Sequence, residues 1–85
     1  MLKSTMTQNV DPNADYLIGP EDLLEIDIFQ AEELKRIVRV SSQGYIGMPL
    51  VGHIKAKGLT PVQLEGEIAQ KLIKYLEEPL VSVYV

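Results

Sequence analysis

His53 is the only histidine in the chain. A histidine can act as a general base or as a metal ligand. A metal would need further donors beside it, and the chain has no cysteine and no second histidine to supply them. The bland alternative is a surface or edge-strand histidine. Glu25 and Asp27 stand two apart in an alternating run. Two carboxylates on one strand face can divide acid and base roles when their surroundings separate their pKa values. A solvated sheet face produces the same pattern. Glu32-Glu33 and Glu77-Glu78 are adjacent acids beside a connector and a helix end, where solvation accounts for them. Ser41, Ser42 and Ser82 have no histidine at a recognisable triad offset. No G-x-G-x-x-G or phosphate-loop pattern occurs. Tyr16, Tyr45, Tyr75 and Tyr84 each offer a contact for a partner, or sit half-buried with their hydroxyls in water. These residues form no enzyme signature. No catalytic residue, cofactor or metal ligand is expected, and no binding residue is assigned.

The elements that would carry these residues are legible. Residues 1–14 lack an apolar period and read as a flexible N-terminal arm ahead of one domain, 15–85. Gly19-Pro20-Glu21-Asp22 is a turn, in which proline presets φ. Leu24 to Phe29 alternates apolar and acidic residues and predicts a strand with Leu24, Ile26 and Ile28 on its core face. Gln30–Leu34 fits one helical turn. Arg36–Ser41, Tyr45–Met48 and Val51–Ala56 read as further strands. Pro49 must lie at an edge, a strand end or a bulge. Thr60-Pro61 with Gln63 opens a helix, Pro61–Leu76, with a capping box. Leu64, Ile68, Ala69, Leu72, Ile73, Tyr75 and Leu76 form its apolar side. Gly66 inside it points to close packing on the sheet. Pro79 ends it, and Leu80–Val85 is a last strand. The expected fold is α+β: a small mixed, mostly antiparallel β-sheet packed by one amphipathic helix. An end on a bare apolar strand suggests a domain excised from a longer chain.

The chain has 85 residues, 46% of them hydrophobic and 24% charged, which suits one folded domain. Eight Lys and Arg against twelve Asp and Glu give a net charge of −4. The longest basic run is Lys35-Arg36. That balance argues against nucleic acid or an anionic membrane surface as a partner, and no direct membrane insertion by this domain is expected. No stretch reaches the length of a membrane span.

Four segments in order carry a resemblance. Tyr16-Leu17-Ile18-Gly19-Pro20-Glu21-Asp22-Leu23-Leu24-Glu25-Ile26 resembles the "Y-x-I-G-P-x-D-x-L-x-I" opening of the polysaccharide biosynthesis/export domain. Val40 to Gly52, with Gly44, Ile46 and Pro49, resembles its "V-x-x-x-G-x-I-x-x-P-L-x-G" middle. Gly58-Leu59-Thr60 resembles its "G-L-T" helix start, and Leu76 to Val85, around Pro79, its "Y-x-x-x-P-x-V-x-V" close. Two departures are Glu21, where the family often has Gly, and Leu80 before the final Val-x-Val.

The resemblance implies a non-catalytic periplasmic module of a Wza-type outer-membrane channel that exports capsular polysaccharide or exopolysaccharide. It implies a homo-oligomeric ring in the full-length protein, polysaccharide in transit, and an inner-membrane polysaccharide co-polymerase as partner. It also implies a signal peptide and further domains in the full-length chain. Its motif residues, Gly19, Pro20, Asp22, Gly44, Pro49, Gly52, Gly58, Thr60 and Pro79, read as shapers and caps of turns. A different reading is a small soluble adaptor, unrelated to export, that binds a ligand or adds a peptide strand at a sheet edge.

Overall fold

The computed structural model describes residues 16–85; the arm expected over residues 1–14 lies outside them. The alternating segment forms β1, Leu23–Ile28, with Leu24, Ile26 and Ile28 buried and Glu25 and Asp27 half-exposed. It is the middle strand of an antiparallel sheet. On one side lies β2, Arg36–Arg39, with Leu24 opposite Val38. The chain reaches β2 through a 3-10 turn, Glu32–Leu34, pinned to the core by buried Ala31 and Leu34.

Two further strands, β3 (Tyr45–Met48) and β4 (Gly52–Lys55), pair as an antiparallel hairpin. Ile46 faces Ile54 across it, both buried, while Tyr45, Gly47, His53 and Lys55 take the exposed face. The reversal is tight: the Val51 N–H donates to the Pro49 carbonyl at 2.8 Å, and Leu50 has a φ of 71°. A bond two residues back around a left-handed residue is a γ-turn, a strained form. Pro49 sits just past β3, where the ladder asks nothing of its missing N–H.

The long helix, α1, runs Pro61–Leu72. The Thr60 hydroxyl accepts from the Gln63 N–H at 3.1 Å, and the Gln63 side chain accepts from the Thr60 N–H at 3.0 Å. Two of the helix's unpaired N-terminal donors are thereby satisfied. Pro61, Leu64, Ile68 and Leu72 form the buried stripe. The last strand, β5 (Val81–Tyr84), then returns to pair with β1, Ile26 opposite Val83. The sheet order is β2-β1-β5, and one cluster of buried side chains joins both sheets and the helix.

The α+β class, the antiparallel pairing and the single helix agree with the sequence reading. Three details differ. The strands divide between a three-stranded and a two-stranded sheet. The regular helix stops at Leu72, although Leu76 N–H still bonds Leu72 carbonyl at 2.9 Å. Ile73 and Tyr75 consequently point to solvent, and only Leu76 of that turn packs on the core. Gly66 is exposed, with open space where a Cβ would stand, so no close approach of the sheet explains it.

Candidate functional site

The opening turn is built around Asp22. Its carboxylate accepts from the Gly19 N–H at 2.9 Å and from the Tyr16 hydroxyl at 2.6 Å. The Tyr16 bond, then the Gly19 bond, hold the Asp22 carboxyl below its usual range, against a smaller opposing effect of burial. The same contact pushes the Tyr16 hydroxyl up. This is a turn lock on the surface, not a reactive dyad: no third group faces it in the hydrogen-bond network of the described residues.

Glu25 and Asp27 share the outer face of β1, and both meet one cation. Lys35 Nζ lies 3.5 Å from Glu25 and 3.7 Å from Asp27. A lysine between two half-exposed carboxylates is a solvated ion cluster of small energetic weight. His53 lies on the hairpin, in a different sheet, so the structure does not bring the histidine to the acids. Among the described residues no three His, Asp or Glu side chains converge as a metal would need. No helix there is long and apolar enough to cross a membrane.

The motif residues fall at chain reversals. Gly19, Pro20 and Asp22 make the opening turn, Gly58 precedes α1, and Pro79 precedes β5. Gly52 begins β4 just after the γ-turn. Gly44 closes the Ser41–Gly44 turn with a φ of 95°, and its carbonyl accepts from both Ala56 and Lys57. A Cβ on Gly44 would stand 2.6 Å from the Lys57 Cβ, which only glycine avoids.

One concave surface lies on the exposed face of the hairpin. Arg39, Ser41, Gln43, Tyr45, Ile46, Gly47 and His53 line an open cleft of about 590 Å³. Lys55 sits opposite Tyr45 at its side. Arg39 is positioned by a bond from its Nη1 to the Glu21 carbonyl at 2.9 Å. Composition hides this cluster, because the chain as a whole is acidic. Position reveals it: from Leu34 to Leu64 there is no Asp or Glu, while Lys35, Arg36, Arg39, Lys55 and Lys57 all fall there.

This arrangement of turns, capped helix and returning strand runs through the segments that carry the sequence resemblance. The family described as "Polysaccharide biosynthesis/export protein" matches residues 10–85. The chain belongs to the polysaccharide biosynthesis/export family. A relative, the "Polysialic acid transport protein KpsD" of Escherichia coli, is 29% identical over 72 residues, 85% of this chain. A second Escherichia coli sequence of the same name matches to the same extent. The chain spans 13% of the length of these relatives. Within the family frame the Glu21 departure has a structural meaning. Glu21 adopts a φ of 72°, the left-handed region in which a glycine, the residue the resemblance leads one to expect here, is at ease.

Proposed function

We propose that this chain is a non-catalytic periplasmic module of an outer-membrane polysaccharide export channel, and that copies of it line a ring in the full-length protein. The observation that carries the reading is the family match over residues 10–85. The relatives' name as polysialic acid transport proteins supports export of a polysaccharide.

The surface supports assembly. On the outer face of the three-stranded sheet, Ile37 and Tyr84 flank Glu25 in one cross-strand row, with Leu23 beside them. All three apolar side chains are exposed. A neighbouring copy is the proposed cover for this patch. An inner-membrane polysaccharide co-polymerase is the proposed partner on the periplasmic side. The peptide-adding form of the adaptor alternative needs an open sheet edge, and β5 does not offer one freely. Its Val83 N–H already donates to Glu65 Oε2 at 2.9 Å.

The test is genetic. Cells lacking the full-length gene should lose surface polysaccharide and regain it with the intact gene. An Ile37→Asp variant of the full-length protein should fold, cross-link less between subunits, and restore export poorly. Normal surface polysaccharide in the deletion strain would overturn the export reading.

A further inference from the structure

We propose that the exposed face of the β3–β4 hairpin is a low-affinity contact site for an acidic, carboxylate-bearing polysaccharide. The inference deepens the export reading and rests on it for the polymer's presence.

Three observations converge on that ligand chemistry. The first is charge. The segment between Leu34 and Leu64 carries five Lys and Arg and no acid, in a chain of net charge −4. The hairpin side is therefore the longest stretch on which a polyanion meets cations without meeting carboxylates on the same segment. Ion pairs within the described residues engage Lys35, which bridges Glu25 and Asp27 on the other sheet; Arg39, Lys55 and Lys57 lie within ion-pair distance of no carboxylate there.

The second is geometry. Arg39 spends one guanidinium nitrogen on the Glu21 carbonyl, which fixes the side chain at the rim of the cleft. A guanidinium has five N–H donors, and its planar fork matches a carboxylate. Across the hairpin, Tyr45 stands opposite Lys55 and Gly47 opposite His53. A Cβ at Gly47 would meet the His53 ring at 3.6 Å, so glycine keeps the floor between Tyr45 and His53 low.

The third is the lining. Ser41 and Gln43 bring a hydroxyl and an amide to the same cleft as the Tyr45 ring. Hydroxyl and amide groups suit sugar hydroxyls, and an aromatic face suits the apolar face of a pyranose. A nucleic acid would ask for a larger cationic surface and more aromatic platforms than one tyrosine. The cleft is open, and its cations are in water, so each contact is weak. Weak contact is what a passing polymer requires, because a tight site would stall it.

The test uses the 85-residue chain, isotope-labelled and followed by amide chemical shifts. The probes are oligogalacturonate, a neutral maltooligosaccharide of equal length, and polyglutamate. Oligogalacturonate should give saturable shifts at Arg39, Tyr45, Gly47, His53 and Lys55 that shrink as salt is raised. The maltooligosaccharide should give far smaller ones. An Arg39→Gln/Lys55→Gln variant should melt as the parent does and bind oligogalacturonate about ten-fold more weakly, at up to about five-fold per charge. No shifts with oligogalacturonate would overturn the proposal. Equal shifts with the neutral sugar would overturn its charge basis. Equal affinity for polyglutamate would mean an acidic protein surface, a second copy of this chain included, and would overturn the saccharide assignment. The export reading fails separately, through normal surface polysaccharide in the gene deletion.

Discussion

The Asp22 carboxylate, held by the Tyr16 hydroxyl and the Gly19 N–H, ties the start of the domain to the head of β1. Because its folded pKa is depressed, its stabilisation is complete above the unfolded value and is lost as pH falls through the folded one. The Tyr16 hydroxyl is shifted upward, so its share is complete below the ordinary tyrosine value and is lost as pH rises through the raised one. Tyr16→Phe should raise the Asp22 titration midpoint toward that of an ordinary aspartate and flatten the acid limb of the stability curve. A carboxyl-resonance titration reads the first effect; an unmoved midpoint would mean the hydroxyl does not hold this carboxylate. Next to it, Glu21 pays a steric penalty of about 1–2 kcal/mol for its left-handed backbone. Glu21→Gly should raise stability by about 0.5–1 kcal/mol, the relief being reduced by glycine's greater unfolded entropy. The Arg39 bond goes to the Glu21 backbone carbonyl and survives the change. A lower urea midpoint in the variant would contradict this. Pro20 and Asp22 announce the turn by residue type alone. The left-handed residue within it does not show itself, because glutamate carries no preference for that region.

At the scale of elements, the helix is the best specified. Thr60, Pro61 and Gln63 fix its start, and the apolar stripe fixes its phase. Its end is less legible, since Ile73, Tyr75 and Leu76 continue an apolar pattern that the chain does not continue as regular helix. Two of those three face solvent, which a periodicity argument has no means to exclude. Gly66 lies on an exposed position with nothing near a virtual Cβ. Gly66→Ala should therefore stabilise the domain by about 0.5–1 kcal/mol, read as a higher melting temperature. A fall in melting temperature would show a backbone need at this position that the helical geometry does not display. The strands were legible from alternation and from glycine and proline punctuation. Their division into two sheets was not, because pairing depends on partners far apart in sequence. The bond from Val83 N–H to Glu65 was equally hidden: nothing in the residue type distinguishes Glu65 from the solvated Glu67 two positions on.

At the scale of the whole molecule, one core serves two sheets and a helix. Leu72 is fully buried at the point where the helix closes over that core. Leu72→Ala should cost about 2–5 kcal/mol, a large share of what so small a domain has available. Denaturant unfolding checks it; an unchanged midpoint would place Leu72 outside the core. The segregation of charge is also a property of this scale. The cationic hairpin side and the acidic remainder are invisible in a net charge, yet both follow from where twelve acids are placed along 85 residues. The sheet order has a further consequence. β1 is flanked by β2, its near neighbour, and by β5, which arrives only with residues 81–84. A chain delivered N-terminus first would hold Leu24, Ile26 and Ile28 without their second partner until residues 81–84 emerge. Closing that gap brings together strands more than 50 residues apart, from Ile28 to Val81, the kind of distant pairing that slows folding. During that interval the central strand is open to wrong partners, so the yield of folded protein should depend on holding factors at the exit site more than its modest size suggests.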